Sequence, residues 1–243
     1  MRQPLLKTLA LKAVSLKVGL PEARLDRVTE LIHLKALLAL TRINCVLDVG
    51  ANRGQFSHEL RAIGYRGLIV SFEPVESEYR SMQTRFADDR AWIGRQFALG
   101  SAPATLTMRV PKLTVMSSLL EPVAFEADTR SETVAVQRLD AVLPAMLAAI
   151  DRPRVFLKMD TQGYDLEVFK GASACMDLIF GLQSELSVQP LYRAMPHYLE
   201  ALAMYEAAGF DLYNLSVVNR VADGGLLELN CFMKRDAARA GPD

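Results

Sequence analysis

Apolar and polar positions along this chain alternate between two rhythms. In "NCVLDVG" (44–50) a short β-rich apolar run ends on an aspartate and a glycine. "GQFSHELRAIG" (54–64) then spaces Phe56, Leu60 and Ile63 as on one helix face and closes on Gly64. "GLIVSFEP" reads as a second buried strand stopped by Pro74, "ESEYRSMQTRFA" as a helix, and "WIGRQFALG" as a third strand. "ATLTMRV" and "ETVAVQRLD" alternate as strands flanking a loop at 111–130. "AVLPAMLAAI" is helical, with Pro144 expected in its first turn. "RVFLKMD" and "DLIFGLQSELS" are the fourth and fifth core strands, with the helical "DLEVFKGA" between them. After the helix "PHYLEALAMYEAAGF", "DLYNLSVV" and "GLLELNCFMKR" form an antiparallel pair around "ADGG". Strand and helix alternate nearly throughout. The predicted fold is therefore α/β and Rossmann-like: a doubly wound, mostly parallel seven-stranded sheet with an antiparallel end, plus N-terminal helices.

The organisation expected is an N-terminal helical segment over 1–40 packed on the core, one domain over 41–235, and a frayed tail over 236–243. The first forty residues carry seven basic and three acidic side chains. They read as a pair of helices that cover the core or form a homodimer contact. A basic amphipathic segment lying on a membrane surface is the alternative. Lys7, Lys12 and Lys17 interrupt the first apolar stretch, so it lacks the h-region of a signal peptide. No run approaches the ~18 apolar residues of a membrane span.

Composition narrows the picture further. With 51% hydrophobic residues the chain can bury a sizeable core. Its formal net charge of zero, with no basic stripe interleaved with aromatics, gives no nucleic-acid signature. Cys45, Cys175 and Cys231 lie in apolar runs without a C-x-x-C pair, as reduced core cysteines of a cytoplasmic protein do.

In doubly wound sheets ligands sit beyond the carboxyl ends of the strands. Those ends here carry Asp48 to Phe56, Glu73, Ala98 to Gly100, Asp160 to Gly163, and Glu185. Carboxylates close four of the five, and a carboxylate ending a buried strand needs partners. In "CVLDVGANRGQF" Gly50 and Gly54 permit unusual backbone angles and close approaches. Asn52 stands where a dinucleotide loop has its second glycine, so the loop suits a ligand without a pyrophosphate better than NAD. S-adenosylmethionine is such a ligand. Asp48 is then placed near the ammonium of its tail, and Glu73, 23 residues after Gly50, near its ribose hydroxyls.

The segments "VLDVGANRGQFS", "SFEP", "ALG", "SSL", "LKMDTQGYDLEVFKGA" and "SEL" together resemble the FkbM-type S-adenosylmethionine-dependent methyltransferases, over roughly 41–235. The resemblance implies a class I methyltransferase fold and methylation of hydroxyl groups, often on sugars of glycolipids, polysaccharides or natural products. It implies that Asp48, Gly50, Ala51, Asn52 and Gly54 line the cofactor loop and that Glu73 holds the ribose. Leu99 and Ser118 are placed near the adenine or the tail. Gln162 departs from the family, which usually has Glu there, and so no acid, base or metal role is carried over to it.

The expected activity is O-methyl transfer to a hydroxyl of a sugar, polysaccharide or glycolipid precursor. A neutral hydroxyl is a poor nucleophile and needs a base or a metal ion. Asp160 and Glu185 end adjacent strands. They are candidate Mg²⁺ ligands, or one of them is the base. His197, on a loop after the fifth strand, is a further catalytic candidate, with a helix-start residue as the alternative. Lys158 is placed on the face of Asp160 as partner to a buried carboxylate. Tyr192, Arg193, Tyr198 and Met116 are candidates for an acceptor pocket. His33 and His58 are read as surface or satisfied polar residues. A non-catalytic cofactor-binding module of the same fold and an NAD-binding oxidoreductase are the competing classes.

Overall fold

A computed structural model describes residues 22–123 and 129–235. The expectations for 1–21, the tip of the 111–130 loop and the tail lie outside the described residues. Ten strands are described: β1 (Cys45–Val49), β2 (Leu68–Phe72), β3 (Trp92–Arg95), β4 (Ala98–Leu99), β5 (Ala104–Pro111), β6 (Thr129–Gln137), β7 (Val155–Met159), β8 (Ile179–Ser187), β9 (Asp211–Arg220) and β10 (Leu226–Lys234). The helices are α1 (Glu22–Leu40), α2 (Gln55–Ala62), α3 (Glu76–Arg85), α4 (Leu139–Leu147), α5 (Asp165–Lys170) and α6 (Tyr198–Ala207).

Seven strands form the main sheet in the order β3-β2-β1-β7-β8-β10-β9. Pairing is parallel from β3 to β8, and β10 runs antiparallel to both β8 and β9. The order reverses between β1 and β7, where a doubly wound sheet opens its crevice. Period-two alternation in β1 divides the core. Cys45, Leu47 and Val49 join Leu143 of α4 and Tyr205 of α6 on one face, while Val46 joins Leu34 and Leu37 of α1 and Leu60 of α2 on the other. Asp48 thus falls on the α1 and α2 face.

Two expectations are corrected. "WIGRQFALG" is not one strand. β3 stays at the edge of the main sheet, and β4 crosses into a second sheet of order β4-β6-β5. Pro144 lies inside α4, not in its first turn, because the helix begins at Leu139. Its ring removes one internal helix hydrogen bond.

Candidate active site

The ends of β1, β2, β7 and β8 open into one cavity of about 1170 Å³, its open mouth included. The volume comparable with known ligand sites is about 270 Å³, close to the lower end of their roughly 300–1,000 Å³. The second sheet contributes Leu99 and Met108, which with Phe72 and Val49 make an apolar wall. Glu73 and Asp160 enter just past the ends of β2 and β7, Glu185 from within β8 near its end, and Gly50, Ala51 and Asn52 from the turn after β1.

The turn is built for closeness to protein. Gly50 has φ +72°, and a Cβ there would stand 2.0 Å from the Asp160 carbonyl oxygen. The glycine lets the ends of β1 and β7 meet at the switch point. Gly54 has φ +75°, and its Cβ would reach 2.4 Å from the Phe86 ring. It serves packing of α2 against the end of α3 and does not line the cavity. Asn52 is also left-handed, at φ +48°, a conformation asparagine tolerates better than most residues. Its amide donates to Thr114 Oγ1 at 3.1 Å and ties the turn to the loop over the cavity.

Glu73 is 5% exposed. Its two oxygens accept the backbone N–H of Asn52 at 2.7 Å and of Val75 at 2.8 Å. Burial nevertheless raises its pKa to about 7, with those N–H groups opposing. Asp48 is fully buried and is not among the residues that line the cavity. It accepts from Lys158 Nζ at 3.0 Å and from Ser57 Oγ at 2.8 Å. Lys158 also donates to the Gly50 carbonyl at 3.2 Å and stands 3.5 Å from Asp160. Burial pulls its ammonium down, and Asp48 and Asp160 more than restore it.

At the ends of β7 and β8, Gln162 joins the two carboxylates. Its Nε2 donates to Glu185 at 2.7 Å and to Asp160 at 3.3 Å. Its Oε1 accepts from Tyr192 Oη at 3.0 Å. Burial first, then the neighbouring Asp160 charge, holds the Glu185 carboxyl well above the usual carboxylate range. An amide at 162 leaves two acids here; a glutamate would make three. This donor set fits a divalent cation poorly. Protons of an ammonium and an amide, not lone pairs, face the two carboxylates, and among the described residues no third His, Cys, Asp or Glu completes a cluster.

The profile of the methyltransferase FkbM domain matches residues 48–212. The chain belongs to that family. It is thus an S-adenosylmethionine-dependent methyltransferase. No curated protein is significantly similar to it. Among solved structures it is similar to magnesium protoporphyrin IX methyltransferase from Synechocystis PCC 6803 with bound S-adenosylmethionine (TM-score 0.48, 11% identity, 88% of this chain and 81% of that one). It is also similar to a fibrillarin/Nop5p complex (0.45, 10%, 79% and 73%) and to a Burkholderia thailandensis 1,6-didemethyltoxoflavin-N1-methyltransferase (0.43, 16%, 83% and 76%). The family assignment rests on the profile match and not on these likenesses.

Several candidates in this methyltransferase stand away from the cavity. His197 is the exposed N-cap of α6, its Nδ1 accepting the Leu199 N–H at 3.3 Å, as its helix-start alternative had it. Ser118 is buried and fully engaged, donating to the Gln162 carbonyl at 2.8 Å and accepting from Leu120 at 2.9 Å. Its neighbour Ser117 lines the cavity in its place. Tyr192 holds Gln162, Arg193 pairs with Glu121 at 3.3 Å, and neither they nor Met116 and Tyr198 line the wall. Among the lining residues that escaped the sequence reading are Arg27 on α1, Gln183 on β8 and Asn230 on β10. Gln183 was within reach, because a strand residue two before Glu185 shares its face.

Proposed function

We propose that this methyltransferase transfers the methyl group of S-adenosylmethionine to a hydroxyl of a sugar, polysaccharide or glycolipid precursor, without a metal ion. The observation that carries the reading is the pair Asp160 and Glu185, bridged by Gln162, whose two carboxylates line the same cavity as Glu73 and the 50–52 turn. When bound, the cofactor supplies an electrophilic methyl on a sulfonium. Glu73 is the ribose residue, since each of its oxygens keeps a lone pair beyond its backbone donor. Leu99, Phe72 and Met108 form the wall for the adenine. Asp160 faces the positive end of the cofactor.

Glu185 takes the proton of the acceptor hydroxyl. A carboxyl held above its usual range is the stronger base once ionised, and a cation beside Asp160 favours its ionised form. Gln162 keeps the two carboxyl groups aligned, which is where alignment of acceptor and methyl is decided. The three cysteines are unpaired and buried, which supports a reducing compartment, the cytoplasm. No described helix is long and apolar enough to cross a membrane.

The test is methyl transfer from labelled S-adenosylmethionine to a panel of mono- and disaccharides, with EDTA and with Mg²⁺. Transfer that survives EDTA and falls at least ~10²-fold in Glu185→Gln is the expected result. Transfer that requires Mg²⁺ overturns the metal-free reading. Full activity in Glu185→Gln overturns the base.

A further inference from the structure

Among the described residues two basic side chains line the cavity, Arg27 and Lys158. Lys158 is committed to the fold. It is 4% exposed, and its three protons face Asp48, the Gly50 carbonyl and Asp160 at 3.0, 3.2 and 3.5 Å. It has no donor left for a ligand.

Arg27 is different. Its Nε donates to Glu59 Oε1 at 3.1 Å, Nη2 donates to Glu59 Oε2, and Nη1 to Glu30 Oε1. A guanidinium carries five N–H groups, so one N–H on each Nη remains without an acceptor among the described residues. The fork to Glu59 fixes the plane of the group, and the side chain is still 37% exposed. Asp160 lines the same cavity. Its side chain is 40% exposed, and its contacts with Lys158 and Gln162 are long, at 3.5 and 3.3 Å. The charge of Asp160 reaches Arg27, adding to the carboxylates that hold the guanidinium above its ordinary value against burial.

An acid and a base lining one cavity, each with unused hydrogen-bonding capacity, complement a zwitterion. The amino-acid end of S-adenosylmethionine is a zwitterion, with an ammonium and a carboxylate on one carbon. We infer that Arg27 binds the carboxylate of the cofactor's methionine tail, and that Asp160 receives the ammonium, so that α1 is a wall of the cofactor site. This rests on the reading of S-adenosylmethionine in this cavity. It also fits the charge of the region. Glu30 and Glu59 offset the guanidinium, so Arg27 offers directed hydrogen bonds, not a general attraction for polyanions.

Two neutral thioethers isolate the tail. S-adenosylhomocysteine carries it, and 5′-methylthioadenosine has the same adenosine and lacks it. Their affinities for the full chain and for Arg27→Leu are measured by calorimetry. The expected result is that wild type prefers S-adenosylhomocysteine and that Arg27→Leu weakens it about tenfold or more while 5′-methylthioadenosine binds as before. Glu59→Gln, which loosens the brace and keeps the cation, should retain most of the preference. If Arg27→Leu weakens both ligands alike, Arg27 only supports the fold and the inference is wrong. Unchanged affinity for S-adenosylhomocysteine overturns it as well. If wild type binds neither ligand, the cofactor reading itself fails and this inference with it.

Discussion

Gln183 shows what a cavity costs a single residue. It is 4% exposed, and its Oε1 has no hydrogen-bond partner. A buried amide oxygen left unmatched is worth roughly 1–3 kcal/mol of lost stability. Gln183→Leu should therefore raise the melting temperature, by ~2–4 °C for each kcal/mol in a chain of this size, read by calorimetry of the ligand-free protein. A lower melting temperature would mean that the amide is satisfied in solution. Glu73 makes a second residue-scale prediction. It keeps its proton in the folded chain up to about pH 7, against an ordinary value of 4.5. Between those two values the folded chain holds a proton that the unfolded chain has lost, so stability falls as pH rises. The contribution is fully present below 4.5 and gone above about 7. At ~1.4 kcal/mol per pKa unit it amounts to roughly 3 kcal/mol. Urea unfolding from about pH 5 to 7 should show a shallower slope for Glu73→Gln than for wild type; equal slopes would assign the pH dependence elsewhere.

At the scale of elements, legibility followed burial. β1, β2, β7 and β8 are buried on both faces and read as apolar runs; their ends supplied Glu73, Asp160 and Glu185 from sequence alone. β3 is half-buried at every position and lies at the sheet edge, so nothing in its apolar pattern marks where the chain leaves for the second sheet at β4. The turn after β1 was read as a ligand cradle, and it divides on inspection. Ala51 and Asn52 face the cavity, whereas Gly54 answers to Phe86. Gly54→Ala must bear a left-handed alanine, about 1–2 kcal/mol, and displace the ring, about 1–3 kcal/mol. It should lower the melting temperature markedly while the folded protein keeps its cofactor affinity. A variant as stable as wild type with weakened cofactor binding would restore Gly54 to the ligand site.

At the scale of the molecule, the cavity straddles the switch point. β1 and β2 provide one wall, β7 and β8 the other, and α1 reaches across from a sequence position more than a hundred residues before Asp160. No local pattern announces such a contact, which is why Arg27 was not legible. What holds α1 there is Glu30, 4% exposed. It accepts from Ser216 on β9 at 2.6 Å, from Asn230 on β10 at 3.1 Å, and from Arg27 on its own helix. The antiparallel hairpin thus positions the helix that carries Arg27, and Asn230 is both a tether and a lining residue. Glu30→Ala leaves these three donors without their acceptor, at about 1–3 kcal/mol for each that water does not reach. The apolar contacts of Leu34, Leu37 and Leu38 remain, so the sheet should stay folded while the first turns of α1 open locally. Hydrogen exchange should accelerate over the N-terminal half of α1 and not in β1, β7 or β8, and affinity for S-adenosylhomocysteine should fall with it. Faster exchange with unchanged affinity would separate α1 from the ligand. Protection lost across the whole sheet would show that Glu30 is a keystone of the core and not a tether of one helix.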